Sequence, residues 1–270
     1  MIHISRVFVH LWTDGEICPK TFESRIHPLI DIMVSQLIIQ TLLNIAIILP
    51  MLLLFMKERT RANYICILAI VFCYFVSVIA LILPNFPNFN FINGIWNWDG
   101  KIYSIVCGIA MYFIFRKQFS ENNFFTLKQN KEGLKAAIWT AIAIISLQTL
   151  GGALRSKDFN IETLLFQLSM PGIDEEIMFR GILLGLMCSS LRGGRSTAWN
   201  PSIMINTILF GLVHTWNYQD GTLDINVVSF IGTGLVGYCL TYITLKTRSI
   251  LLAILTHNLC NFLPNLVSMF

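Results

Sequence analysis

The sequence predicts an all-α fold: a polytopic transmembrane helical bundle of about eight helices, each needing about 20 mostly apolar residues to cross the hydrocarbon core. Three observations lead there. Of the 270 residues, 55% are hydrophobic and 13% charged, against roughly 25% charged in a soluble domain. Apolar runs of membrane length recur along the chain. Lys and Arg sit in short clusters between those runs, as membrane flanks do. The chain is therefore read as an integral multi-pass membrane protein, with the lipid bilayer as its first partner. Its net charge of +4 comes without a long basic run, so nothing points to nucleic acid.

The elements follow in order. Residues 1–30 are read as an N-terminal arm, because the apolar stretch Val7 to Trp12 is too short for a signal peptide and no small-residue cleavage site follows. Ile32 to Met56 crosses without a charge, and Tyr64 to Leu83 is the second span. The third, Ile102 to Phe115, is shorter, and without it seven spans remain. Ala136 to Leu154 is the fourth. An interrupted fifth segment runs from Ile161 to Leu191, followed by Trp199 to Trp216, Ile225 to Leu245 and Ile250 to Met269. The Pro/Asn/aromatic linker "PNFPNFNFINGIWNW" suits the interfacial aromatic belt. No repeat or soluble domain interrupts this plan. Residues 31–155 form N-terminal helices and 156–270 a core, in one continuous membrane domain.

Two further patterns take ordinary readings. "GTGLVG", Gly232 to Gly237, matches a dinucleotide fingerprint by letter, but such a fingerprint needs a strand before it. Here it lies inside an apolar span, where small residues let helices approach. Gly181 and Gly185 take the same packing reading. The seven cysteines have no CxxC or zinc-finger spacing, and in apolar segments cysteine acts as a small hydrophobe.

The informative residues are the polar ones within the spans, since an ionisable group there costs roughly 2.5–3.5 kcal/mol on insertion scales. Glu176 and Arg180 stand four apart, so on a helix they share a face and can pair. Glu175 is turned about 100° away and is free to face a cavity. If Pro171 and Gly172 begin the helix, both acids lie in its first turn, favoured by the dipole. Phe210 and His214 repeat the four-residue spacing, and so do His257 and Asn261 near the chain's end. Each cluster alone also fits a capped helix end or an interhelical polar contact. Together they are complementary. A carboxylate and a neutral histidine can hold and deprotonate water. A second histidine and an amide can donate to a developing oxyanion. No Ser or Cys nucleophile with a local base stands out, so the chemistry on offer is water attack on an amide carbonyl.

In these residues the chain resembles the CPBP intramembrane proteases, which include CAAX-prenyl proteases and the bacterial Abi proteins of bacteriocin processing and self-immunity. The shared pattern is EExxxR, FxxxH and HxxxN on successive helices. It stands here as Glu175-Glu176-Ile-Met-Phe-Arg180, Phe210-Gly-Leu-Val-His214 and His257-Asn-Leu-Cys-Asn261. The resemblance covers about residues 160 to 265. It implies an intramembrane endopeptidase, in a bacterial cell membrane, acting on a membrane-anchored or amphipathic peptide or protein. It implies Glu175 as general base with His214 as partner, His257 and Asn261 as the oxyanion site, Glu176 and Arg180 as a supporting pair, and Phe210 packed beside His214. The family is often labelled a metalloprotease family. Glu175, His214 and His257 could supply three ligands to Zn²⁺, yet no HExxH is present and a Glu/His water mechanism needs no metal. Metal-free hydrolysis is the preferred reading, with Zn²⁺ as the alternative. The competing functions are a non-catalytic membrane scaffold or immunity protein and a small proton-coupled transporter.

Overall fold

The computed structural model describes residues 19–119, 122–197, 200–219 and 222–270. It is built from helices, with one two-stranded hairpin among the described residues. Helix α1 spans Pro19–Leu54, α2 Arg61–Ile82, α3 Trp98–Phe119 and α4 Lys131–Ala153. Helix α5 (Ile161–Glu176) passes into a π-helical turn over Ile177–Leu183 and then α6 (Leu184–Ser190). Helix α7 is Pro201–Leu212, α8 Val227–Thr247 and α9 Leu251–Ser268, with the antiparallel hairpin β1 (Trp216–Gln219) and β2 (Thr222–Ile225) between α7 and α8. Helix α1 thus begins inside the stretch read as an arm; residues 1–18, with Cys18, lie outside the described residues.

Helix starts follow side-chain capping rules. Thr60, Asn160, Asn200 and Asn226 each accept from the backbone N–H three residues on, satisfying one of the donors a helix leaves unpaired. Pro201 adds a pre-set φ at the first position of α7.

Val34–Leu54, Arg61–Asn85, Lys131–Ala153, Val227–Thr247 and Leu251–Ser268 are long and apolar enough to cross a membrane. Outward faces on these helices are greasy: Leu54, Leu68, Leu150, Val228 and Ile231 are exposed, while Glu176 and Arg180 are wholly buried. An apolar exterior around a charged interior is the arrangement a bilayer demands. The expected transmembrane helical bundle is present, and five of the eight expected spans meet this measure. Helix α3 and residues 161–190 have the length but carry charges. Helix α7 has only 12 residues and rises about 18 Å, against the roughly 30 Å of the hydrocarbon core. It stops at Leu212, and the chain turns into the hairpin rather than continuing to Trp216.

Helix α9 packs against α4, α5 and α8, and α7 lies along α8. Close approach explains several glycines. A Cβ on Gly237 would press on the Phe210 ring, and one on Gly181 on the Phe125 ring, so these two glycines are contact points, whereas Gly232 meets nothing within 4 Å. The described cysteines, Cys66, Cys73, Cys107, Cys188, Cys239 and Cys260, are free thiols. At Gly133 of α4, a Cβ would lie 2.0 Å from the Lys246 carbonyl oxygen, whereas at Gly151 of the same helix it would meet nothing within 4 Å. Gly133→Ala is therefore expected to cost about 1–3 kcal/mol through overpacking, read as a lower melting temperature in detergent. Gly151→Ala should be neutral or slightly stabilising.

The linker between α2 and α3 is tied down. Asp99 Oδ2 accepts from the Phe91 and Ile92 N–H groups at 3.0 and 2.8 Å. Glu162 Oε1 accepts from the Trp98 indole at 3.0 Å, and Trp96 stacks on Phe166 at 5.0 Å between centroids. The aromatic linker is thereby fixed onto α5 beside the motif that begins at Pro171.

Candidate active site

Glu175 and Glu176 sit at the C-terminal end of α5, not in a first turn. The helix runs from Asn160 through Pro171 without stopping. Proline removes one N–H and usually breaks a helix interior. Here α9 supports the next turn, because the Gly172 N–H donates to Asn258 Oδ1 at 2.8 Å. Glycine suits this contact, since a Cβ would press on that oxygen and stand 2.8 Å from the Ile254 carbonyl oxygen. The helix then widens into the π-turn Ile177–Leu183, a form found often at functional sites. A π-turn leaves carbonyls out of register, and Asn206 Nδ2 of α7 donates to the Phe179 carbonyl at 2.7 Å.

The expected pair forms: Arg180 Nη1 donates to Glu176 Oε1 at 2.8 Å, with both side chains fully buried. Arg180 Nη2 reaches the Gly237 carbonyl at 3.0 Å, and its guanidinium lies 4.2 Å from the Phe210 ring centroid. Glu176 does more than the sequence foretold, because its Oε1 also holds His257 Nδ1 at 2.7 Å. This bond fixes the tautomer. A carboxylate only accepts, so Nδ1 carries a proton. His257 Nε2 then faces Glu175 Oε2 at 3.9 Å.

Glu175 divides its carboxylate. Oε1 accepts from Lys101 Nζ of α3 at 2.8 Å, and the same ammonium donates to Asp174 Oδ2 at 2.7 Å. Oε2 is buried and has no hydrogen-bond partner among the described residues. Lys101 and Asp174 are the members that sequence reading missed. A lysine at the edge of an apolar run reads as an interfacial flank, and its partners lie 73 and 74 positions away.

His214 stands just past the end of α7, with Nδ1 bonded to the Phe210 carbonyl at 2.9 Å. Donation from Nδ1 leaves Nε2 as an acceptor. Phe210 packs against both histidines, at 5.2 Å from His214 and 5.8 Å from His257 between ring centroids. Glu175, Phe210, His214, His257 and Asn261 line one cavity of about 190 Å³, joined by Gln148 of α4. Glu175 and His214 also line a second cavity of about 190 Å³, walled largely by apolar residues such as Leu37, Val78, Ile95 and Met178. These two side chains thus stand where a polar chamber meets an apolar one. Glu176 and Arg180 lie behind the chamber.

The Zn²⁺ alternative rests on Glu175, His214 and His257, which line one cavity, although among the described residues no three His, Cys, Asp or Glu side chains gather closely as a metal-ligand set. Glu175 shares one oxygen with an ammonium, and each histidine gives its Nδ1 to another partner. That leaves Glu175 Oε2 and the two Nε2 atoms as the ones that would hold an ion.

No curated protein and no solved structure gives a match. The sequence model described as type II CAAX prenyl endopeptidase Rce1-like matches residues 158–263. That segment contains Glu175, Glu176, Arg180, Phe210, His214, His257 and Asn261, and excludes Lys101. Residues 158–263 of this membrane protein are thus similar to the Rce1-like type II CAAX prenyl endopeptidases, and they carry the three motifs that resemble the CPBP family.

Proposed function

We propose that the protein is an intramembrane endopeptidase that hydrolyses a peptide bond in a membrane-anchored or amphipathic peptide or protein. The observation that carries this reading is Glu175 Oε2, an unpartnered carboxylate oxygen on a residue that lines both cavities together with His214. Water between Glu175 and the bare Nε2 of His214 has two acceptors for its two protons. As its oxygen bonds to the carbonyl carbon, one proton passes to this pair. The C–N bond then breaks, and the proton is returned to the leaving amine.

The oxyanion falls to His257 and Asn261, which line the same chamber. The Asn261 amide donates without any charge. His257 already holds a proton on Nδ1, so donation from Nε2 requires the doubly protonated ring, which the Glu176 carboxylate would balance. The proposed route uses no metal. A bacterial cell membrane and a bacteriocin-type or self-immunity peptide precursor are the preferred setting and substrate, ahead of a prenylated CAAX protein.

Cleavage by purified protein tests this, on a panel of prenylated CAAX peptides and unprenylated amphipathic precursors, with and without a chelator. His214→Ala is expected to lose about 10²–10⁴-fold in rate, the range of a general acid–base contribution, while wild type keeps its rate in chelator. Abolition by chelator with recovery on Zn²⁺ would replace the water-activating pair with a metal centre.

A further inference from the structure

Lys101 lies outside the Rce1-like segment and comes from an N-terminal helix to which the three motifs assign nothing. Its side chain is 9% exposed, and the carboxylates it joins, Asp174 and Glu175, are 4% and 14% exposed. A buried lysine needs one counter-charge, and this one has two. If it served only to neutralise Asp174, the contact to Glu175 would be dispensable. Yet that contact decides which oxygen of Glu175 is free: Oε1 is held by the ammonium, and Oε2 is the unpartnered atom 3.9 Å from His257 Nε2. Nearby charge comes also from His257 on α9, His214 beyond α7 and the Glu176–Arg180 pair, and none of these holds Oε1.

We propose that Lys101 is a positioning residue for Glu175, anchoring one carboxylate oxygen so that the other stays ionised and presented to the chamber. This rests on the reading of Glu175 as the base. Lys101 touches no reacting atom in this scheme; it acts through Glu175.

The test pairs cleavage with a readout that needs no substrate. Dicyclohexylcarbodiimide adds to protonated carboxyl groups in apolar surroundings, and mass mapping identifies the labelled residue. In wild type, Glu175 labels slowly. In Lys101→Met, labelling of Glu175 is expected to rise about tenfold, the change that one pK unit makes in the protonated fraction, and kcat is expected to fall with little change in KM. Lys101→Met/Asp174→Asn keeps the wild-type sum of charges in this group and guards against misfolding. Glu175 should remain readily labelled and cleavage low in that double variant. Labelling confined to Asp174, or Glu175 labelling and cleavage restored to wild-type levels in the double variant, would overturn the proposal, because Lys101 would then serve Asp174. Wild type that cuts no peptide while the labelling pattern holds would count against the protease reading and leave the Lys101–Glu175 anchor supported.

Discussion

Glu175→Gln is expected to lower the cleavage rate about 10²–10⁴-fold with membrane level and melting temperature close to wild type. The substitution keeps the volume and one oxygen. That carbonyl oxygen can still accept from Lys101, whose ammonium also retains Asp174 at 2.7 Å. What is lost is the basic oxygen toward the chamber, the atom that has no hydrogen-bond partner among the described residues. An amide there donates or accepts a hydrogen bond but does not take up the water proton. The loss should therefore fall on kcat more than KM, since substrate lies against the walls of the cavities and not against one carboxylate atom. The result also separates the competing functions. A scaffold or immunity protein that works by binding would keep its effect in cells, because the surface and the fold are unchanged. Full activity in Glu175→Gln, at normal levels, would reduce the acidic motif to a structural element.

What was legible in the sequence was local. Apolar runs mark the helices because lipid leaves the backbone no other way to satisfy itself. Glu176 and Arg180 pair because four residues make one helical turn, a relation written in spacing alone. Glu175 was expected to point elsewhere than Glu176, and it does. The rest was set by tertiary contacts. Lys101 reads as a membrane flank until α3 is packed beside α5. The bond from Glu176 to His257 joins positions 81 apart. Pro171 reads as a helix start, and its helix continues only because Asn258, from α9, takes the Gly172 N–H. The segment before His214 reads as a full span by its composition, yet α7 ends at Leu212 and the chain turns into a hairpin. In the first three the deciding partner lies on a distant helix, a relation that spacing along the chain does not show.

The largest effect on stability is expected from Arg180→Met. Arg180 has no exposed surface, and its loss strands Glu176, equally buried, with only His257 on its shared oxygen. Removing one partner of a buried ion pair typically costs about 3–5 kcal/mol, because the remaining charge has no solvent to return to. The Gly237 carbonyl loses one of two side-chain donors, keeping Thr241 Oγ1 at 2.7 Å, and the Phe210 ring loses the guanidinium at 4.2 Å. The expected outcome is a steep fall in melting temperature and in membrane level. Glu176→Gln/Arg180→Met removes both charges, and replacing a buried pair by neutral groups of similar volume is often close to neutral. Most of the stability should return in the double variant, leaving a coupling energy that a double-mutant cycle measures. Activity should not return with it. Glu176 is the group that holds His257 Nδ1, and a Gln at that position can offer an amide N–H to the ring as readily as a carbonyl. The imidazole then loses its fixed tautomer, so a stable but slow double variant would separate what the pair does for the fold from what Glu176 does for the site. If cleavage recovered along with the melting temperature, the Glu176–His257 bond would have no part in orienting His257 for the proposed reaction.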